Sequence, residues 1–299
     1  MTNRDFSGLW TALVTPFKEG NGINNEVDYD ALDRLLQMQI DAKVDGVLFL
    51  GTTAENPTLT KQEGLEIVKF GIKKLSGKTK IMVNVGNYST FDSIENIKMY
   101  DMLEGIDAYL VVNPYYNKPT QTGLYLHFTT IADSTKRPVI LYNIKGRTSV
   151  NLNTDTLLKI ISHSKNVVGV KEASGDLEQM KDVIARAPKD FLVTSGDDGL
   201  TYELAQAGGG GVISVASNLI PKEMKNFVDA CFKNSSEAKI LNEKYRDFFD
   251  KIFIQTNPLP AKTYLASKGI IKEEFRLPIC KMDDKERGIF LDFIKSNNF

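Results

Sequence analysis

The stretch VVGVKEASGD, at residues 167–176, places Lys171 directly after an apolar run. Side chains alternate along a strand, so Lys171 is predicted to share a face with Val167 and Gly169, and the missing side chain of Gly169 would leave room for the lysine stem. An ordinary lysine has a pKa of roughly 10.4, and loss of water can lower that pKa by up to about 3 to 5 units. The pattern therefore indicates an amine able to attack a carbonyl carbon.

Other residues could assist such an amine. Tyr142 closes the preceding apolar run, where its phenol could carry protons during addition and dehydration. Thr52 and Thr53 offer hydroxyl and amide groups for a short carboxylate, and the planar guanidinium of Arg147 could bind a second carboxylate through two hydrogen bonds. Each residue also has a purely structural interpretation, as a solvated cation, a packed tyrosine or a turn.

The elements that must position these residues follow from periodicity. Apolar runs alternate with stretches of helical spacing, which predicts βα units around a parallel sheet. The runs are residues 9–14, 46–50, 81–85, 108–112, 139–142, 167–170, 191–194 and 212–215. Because right-handed crossovers return each strand beside the last, the pattern predicts an α/β fold, a (β/α)8 (TIM) barrel, over residues 1–217. Residues 218–299 are predicted to form a helical region packed on the barrel, and a small separate domain is the alternative.

A doubly wound open sheet is the alternative architecture. Sheets of that kind that bind nucleotides carry a glycine-rich loop after the first strand, where this chain has Thr15-Pro16-Phe17. The helix starts fit either architecture, with Asp28, Thr60 and Thr90 predicted as N-terminal caps.

Barrel active sites lie at the C-terminal ends of the strands. Those ends read Thr15-Pro16, Gly51-Thr52-Thr53, Gly86-Asn87, Asn113-Pro114-Tyr115-Tyr116, Tyr142-Asn143, Lys171-Glu172, Ser195-Gly196-Asp197-Asp198 and Ser214. The concentration of hydroxyl, amide and charged groups predicts that the site surrounds Lys171.

Composition narrows the choice of partner. With 37 basic and 38 acidic residues the net charge is −1, so neither nucleic acid nor a membrane is expected as a partner. The expected partners are small-molecule substrates. Cys231 and Cys280 are predicted to be free buried thiols, and two histidines are too few for the usual zinc site. Neither a cofactor nor a metal is expected. The first residues lack an apolar signal region, which predicts a cytoplasmic protein.

Seven segments together resemble the family of dihydrodipicolinate synthase and N-acetylneuraminate lyase. They are GTTAENPTL at 51–59, PYYNKPTQTGLYLHF at 114–128, LYNIKGRT at 141–148, VVGVKEASGD at 167–176, SGDD at 195–198, GGGGVISVASN at 208–218 and NPLPAK at 257–262. The resemblance implies a Schiff base between pyruvate and Lys171. It also implies a proton relay of Thr53, Tyr142 and Tyr116, with Tyr116 coming from a neighbouring subunit of a homodimer or homotetramer.

The same resemblance implies the substrate-binding residues. The pyruvate carboxylate is expected at Thr52 and Thr53, with the carbonyl of Ile213 and with Gly196 bordering the site. Arg147 resembles the arginine that binds L-aspartate 4-semialdehyde, which implies condensation of this aldehyde with pyruvate to 4-hydroxy-tetrahydrodipicolinate, at the entry to diaminopimelate and lysine biosynthesis.

Three other functions are weighed against this one. An N-acetylneuraminate lyase or another 2-keto-3-deoxy sugar-acid aldolase would use the same imine, but such enzymes generally lack an arginine at position 147. A barrel whose lysine holds pyridoxal phosphate would need a phosphate cup that the sequence does not make plain. An inactive relative is disfavoured by the intact Lys171, Tyr142 and Arg147. Ala54 and Lys145 depart from the common family pattern, beside the expected aldehyde site.

Feedback by lysine is expected to be weak or absent. At positions where lysine-inhibited members of the family tend to have Ser-Ala, two histidines, Asn and Glu, this chain has Asn56-Pro57, Lys61, Gly64, Tyr88 and Asp92. A cationic Lys61 would repel a lysine effector.

Overall fold

A closed barrel of eight parallel strands forms the centre of the protein in a computed structural model, which describes the backbone of residues 3–299 and the side chains from residue 5 onward. The strands are β1 (Gly8–Ala12), β2 (Gly46–Phe49), β3 (Lys80–Asn84), β4 (Ala108–Val112), β5 (Val139–Asn143), β6 (Val167–Glu172), β7 (Leu192–Ser195) and β8 (Gly211–Ser214). Each strand pairs with the next, and β8 returns to β1, where Ile213 lies opposite Trp10. The predicted (β/α)8 barrel is confirmed, and closure excludes the open sheet, which would leave two edge strands.

Helices alternate with the strands and continue beyond them. They are α1 (Tyr29–Ala42), α2 (Lys61–Leu75), α3 (Thr90–Asp101), α4 (Gln121–Asp133), α5 (Lys145–Thr148), α6 (Thr154–His163), α7 (Leu177–Arg186), α8 (Thr201–Gln206), α9 (Pro221–Phe232), α10 (Glu237–Lys251), α11 (Leu259–Ser267) and α12 (Asp284–Ser296). Asp28 and Thr60 cap α1 and α2 as predicted. The prediction for Thr90 is wrong, because Ser89, whose backbone is extended, caps α3, and the Thr90 hydroxyl lies 2.8 Å from Nδ1 of His127.

Two apolar clusters lie on either side of the sheet, one inside the barrel and a larger one between strands and helices. Val168 belongs to the inner cluster and Val167 to the outer one. The pairing of β5 with β6 shifts register here, so that β6 carries one extra residue, as in a β-bulge. The prediction that Val167 shares a face with Lys171 is therefore wrong.

The helix α9 completes the outer ring, since it contacts α1, α8 and β1. The division of the chain into residues 1–217 and 218–299 stays a prediction, but the ring of helices extends past residue 217. Beyond α10 the chain returns across the C-terminal ends of the strands. There Lys262 and Glu55 form an ion pair of 2.5 Å in which both side chains are 0% exposed, and Arg276 pairs with Glu63 at 2.5 Å. Because breaking a buried pair costs about 3 to 5 kcal/mol, this segment is fixed to the chain that follows β2.

Two further observations concern the sequence predictions. Cys231 is a buried free thiol, as predicted, whereas Cys280 is exposed because it lies in the irregular segment before α12. Among the helices of residues 3–299, none is long and apolar enough to cross a membrane.

Candidate active site

A cavity of about 80 Å³ lies at the C-terminal ends of the strands, the end at which barrel enzymes carry their active sites. This volume is well below the roughly 300 to 1,000 Å³ of pockets for drug-sized ligands, so the cavity suits a substrate of a few heavy atoms. The polar side chains on its wall are Thr52, Thr53, Asn84, Tyr142, Arg147, Lys171 and Asn257.

A larger cavity, of about 900 Å³, lies at the opposite end of the barrel. Two of its carboxylates serve the backbone: Asp45 accepts a hydrogen bond from the Leu9 N–H at 2.8 Å, and Asp107 accepts one from the Ile81 N–H at 2.7 Å. These contacts fix the starts of β1 and β3. We therefore place the chemistry at the smaller cavity, where a buried amine is present.

Lys171 is that amine, and it is only 5% exposed. It lies within β6 rather than after it, one residue before the strand ends. Burial lowers the pKa of the Lys171 amine from 10.5 to about 7, the Asp198 carboxylate opposes this shift, and the Arg147 guanidinium adds to it. With a pKa of about 7, roughly three amines in four are neutral at pH 7.5, against about one in a thousand for an unperturbed lysine.

Gly196, at the end of β7, makes room for the lysine stem. A Cβ atom on this glycine would lie 2.9 Å from Cε of Lys171 and 2.6 Å from Cβ of Ala173. The prediction that Gly169 provides this room is wrong, because a Cβ atom there would instead meet Cβ of Leu192 at 2.9 Å. Gly196 is therefore the position at which a side chain would displace the amine.

Tyr142 lies beside Lys171, as predicted, because the two residues are paired across β5 and β6. Nζ of Lys171 lies 4.3 Å from the centroid of the Tyr142 ring. Burial raises the pKa of the phenol to about 12, while Arg147 and a hydrogen bond with the Thr52 side chain act in the opposite direction. The phenol is therefore protonated at neutral pH and can donate a proton. The hydroxyl group that is hydrogen-bonded to the Tyr142 phenol is that of Thr52. The resemblance implied Thr53 as the threonine of the proton relay.

Thr53 is bonded to the C-terminal part of the chain. Its side chain is 3% exposed, and its Oγ1 accepts a hydrogen bond from Nδ2 of Asn257 at 2.8 Å. The backbone carbonyl of Asn257 accepts a second hydrogen bond, from Nη2 of Arg147 at 3.0 Å. Arg147 lies in the short helix α5, and one residue thus contacts both Thr53 and Arg147.

Asp198 supplies a buried negative charge near the amine. It lies in a 3-10 helix after β7 and is 1% exposed. Its Oδ2 accepts hydrogen bonds from the N–H groups of Val215 at 3.0 Å and Ala216 at 3.1 Å, so it ties the end of β7 to the end of β8. Burial raises the pKa of this carboxyl group, against the effect of those hydrogen bonds.

Two residues implied by the resemblance are not on the cavity wall. The side chain of Ile213 is buried in the inner apolar cluster, whereas Val215, just after β8, lies on the cavity wall. Tyr116 is 91% exposed, with a left-handed backbone (φ 72°). Within one chain, the Tyr116 side chain therefore does not join the cavity that holds Lys171.

A third cavity, of about 200 Å³, adjoins the small cavity that holds Lys171. These two cavities share the polar residues Thr52, Asn84 and Arg147, and the third cavity adds Asn56 and Tyr115. Arg147 thus lies where a molecule in either cavity can meet its guanidinium. Among residues 5–299, no three His, Cys, Asp or Glu side chains gather as a metal ion would require.

The site residues predicted from the sequence did not include Asn84, Phe253 or Asn257, which lie on the cavity wall. Asn257 begins the segment NPLPAK, one of those that carry the resemblance, but no spacing linked it to Thr53, which lies 204 positions away. Asn84 ends β3 and lies within the predicted run 81–85, where alternation places it on the same face as Met82, inside the barrel.

Known proteins resemble this chain both in sequence and in structure. The model of the dihydrodipicolinate synthetase family matches residues 5–297. A 4-hydroxy-tetrahydrodipicolinate synthase of Endomicrobium trichonymphae is 44% identical over 283 residues, which cover 94% of this chain and 95% of that protein. The crystal structure of dihydrodipicolinate synthase from Aquifex aeolicus superposes with a TM-score of 0.93 at 38% identity, covering 98% of both chains. A structure described as the first monomeric dihydrodipicolinate synthase variant gives a TM-score of 0.94 at 37% identity, covering 99% of this chain and 98% of the variant.

Proposed function

The chain belongs to the dihydrodipicolinate synthetase family, and on that premise we propose that it condenses pyruvate with L-aspartate 4-semialdehyde to give 4-hydroxy-tetrahydrodipicolinate. The observation that carries the chemistry is the buried amine of Lys171, whose pKa of about 7 leaves it neutral beside a protonated phenol. A neutral amine is the form that adds to a carbonyl.

In the proposed reaction, Nζ of Lys171 adds to the keto carbon of pyruvate, and loss of water from the carbinolamine gives an imine. Tyr142, with Thr52 bonded to it, supplies the proton that the departing hydroxyl group needs. Loss of a methyl proton to the Tyr142 phenolate then gives an enamine, whose carbon attacks the aldehyde carbon while the aldehyde oxygen takes up a proton. The amino group of the aldehyde substrate finally displaces Lys171 from the imine carbon, which closes the ring and returns the free amine. One water leaves over the whole cycle.

The two carboxylates of the substrates need separate partners. We place the pyruvate carboxylate at Thr52 and Thr53, with Gly196 bordering it. The small cavity supports this placement because it holds both threonines together with Lys171. We place the aldehyde carboxylate at Arg147, which reaches the adjoining cavity of about 200 Å³.

We propose that a homodimer or homotetramer completes the relay through Tyr116. A phenol that is 91% exposed and has no place at its own cavity is available to a neighbouring subunit. Replacement of Tyr116 by phenylalanine should then slow turnover, and subunits bearing Tyr116→Phe mixed with subunits bearing Lys171→Met should recover activity. If no mixture of the two variants recovers activity, Tyr116 acts within its own subunit or not at all.

The acceptor is tested directly by steady-state kinetics. With pyruvate present, the purified protein should consume L-aspartate 4-semialdehyde and leave N-acetylneuraminate uncleaved. Replacement of Lys171 by methionine is the matched control for the imine step. Cleavage of N-acetylneuraminate with no turnover of the semialdehyde would overturn the proposed substrate while leaving the imine chemistry in place.

A further inference from the structure

Asn257 joins two substrate-binding groups that come from different parts of the barrel. Its Nδ2 donates a hydrogen bond to Oγ1 of Thr53 at 2.8 Å, and its backbone carbonyl accepts one from Nη2 of Arg147 at 3.0 Å. Thr53 follows β2, whereas Arg147 follows β5. We infer that Asn257 is a positioning residue that holds Thr53 for the pyruvate carboxylate and Arg147 for the aldehyde carboxylate, an inference that rests on the proposed function.

The polarity of the contact with Thr53 favours binding of an anion. A hydroxyl group has one proton to donate and two lone pairs to accept hydrogen bonds. Because the amide N–H of Asn257 occupies a lone pair of Thr53 Oγ1, the hydroxyl proton remains available for a carboxylate oxygen. Free rotation of the hydroxyl group is also restricted before substrate arrives, which lowers the cost of binding.

Asn257 is itself held in place without substrate. It is 6% exposed, and five residues further on Lys262 forms the fully buried ion pair with Glu55. Glu55 lies two residues after Thr53 in the chain. The segment of Asn257 and the segment of Thr53 are therefore joined twice, once by the ion pair and once by the amide. Such doubly supported contacts keep a binding group close to its productive geometry.

Pyruvate-dependent labelling of Lys171 by borohydride, with no aldehyde present, tests the contact with Thr53. In Asn257→Ala, the pyruvate concentration for half-maximal labelling should rise about tenfold, equivalent to about 1.4 kcal/mol. Asn257→Asp should raise this concentration further. A carboxylate can only accept hydrogen bonds, so it would bind the hydroxyl proton of Thr53 that pyruvate needs, and its negative charge would repel pyruvate. A role in packing alone predicts the opposite order, since aspartate keeps the shape of asparagine. Asn242→Ala, at an equally buried (6% exposed) asparagine in α10, should leave the concentration unchanged.

The contact between Asn257 and Thr53 is also tested by substitution of Thr53. Thr53→Val removes the hydroxyl group, so Asn257→Ala should have no further effect in that background. Should Asn257→Ala not fold, Asn257→Asp carries the test, and it should raise the concentration for half-maximal labelling by more than about tenfold. Both substitutions at position 257 retain a backbone carbonyl for Arg147, so KM for pyruvate should rise more than KM for the aldehyde.

The outcomes separate this inference from the proposed function. Three results would overturn the positioning role alone. They are an unchanged pyruvate concentration for half-maximal labelling in Asn257→Ala, a smaller effect of Asn257→Asp than of Asn257→Ala, and additive effects of Asn257→Ala and Thr53→Val. Absence of labelling in the unmodified protein would instead overturn the proposed imine chemistry and this inference with it.

Discussion

Replacing Lys171 by methionine is expected to stabilise the fold while abolishing imine formation. Methionine has a similar length and keeps the apolar contacts of the stem, but it carries no charge to desolvate. The pKa of the buried amine is about 7, against 10.5 for an exposed one. Because the folded-state pKa lies below the unfolded value, the folded chain binds fewer protons between these two pH values, and its stability rises with pH across that window.

The size of the effect follows from these two pKa values. The penalty for holding Lys171 in the barrel is full below about pH 7 and vanishes above about pH 10.5. It amounts to about 4 kcal/mol at pH 7.5 and about 1.5 kcal/mol at pH 9.5, at about 1.36 kcal/mol per pH unit. The free energy of unfolding of Lys171→Met should therefore exceed that of the unmodified protein by several kcal/mol at pH 7.5, and the difference should shrink by more than half at pH 9.5.

Urea unfolding at the two pH values measures both differences. Lys189→Met is the matched control, since Lys189 is exposed in the segment before β7 and its replacement should change stability little at either pH. A Lys171→Met variant that is no more stable than the unmodified protein would refute the claim of a desolvated amine. So would a difference in unfolding free energy that does not change with pH.

Three further predictions concern the site. Gly196→Ala should slow labelling of Lys171 by about a hundredfold at saturating pyruvate, because its Cβ would lie 2.9 Å from Cε of Lys171 and misplacement by about 1 Å has that effect. The variant should also lose some stability, because the same Cβ would lie 2.6 Å from Cβ of Ala173. Labelling at the normal rate would show that the lysine side chain does not depend on the space at Gly196. Arg147→Ala should raise KM for L-aspartate 4-semialdehyde at least tenfold, because the variant loses a charge-assisted hydrogen bond to the substrate carboxylate. Labelling of Lys171 by pyruvate alone should change only a few-fold. Equal weakening of semialdehyde binding and of pyruvate labelling would place Arg147 at the pyruvate carboxylate instead. L-Lysine should inhibit weakly or not at all because of Lys61, and half-inhibition below millimolar concentrations in a steady-state assay would contradict this.

Much of the fold is local in origin and was therefore predictable. Strands that are covered on both faces of a parallel sheet are rich in Val, Ile and Leu, and each predicted run overlaps a strand of the structure. The ends differ by at most two residues, as at β6, where pairing with Tyr142 and Asn143 extends the strand through Lys171 and Glu172. Such pairing depends on the neighbouring strand and cannot be read from one run alone.

The parts of the site that escaped prediction depend on contacts that are distant in the sequence. Alternation along a single strand suggested Gly169 as the space for Lys171, but Gly169 faces Leu192, and Gly196, one residue after β7, provides that space. The bond between Asn257 and Thr53 spans 204 positions and follows from the path of the C-terminal segment across the barrel. By contrast, Lys171 and Tyr142 were predictable because each lies one residue before the end of its strand, and consecutive strands of a barrel are adjacent.

Mapping the borohydride-reduced adduct by mass spectrometry tests the central claim most directly. The protein is incubated with pyruvate, reduced and digested, and the labelled peptide is identified at a series of pH values. The buried amine predicts one reduced pyruvyl group on Lys171, with labelling that rises with pH through a midpoint near the amine pKa of about 7. A label on another lysine, no label at all, or a midpoint near that of an exposed lysine would contradict the account.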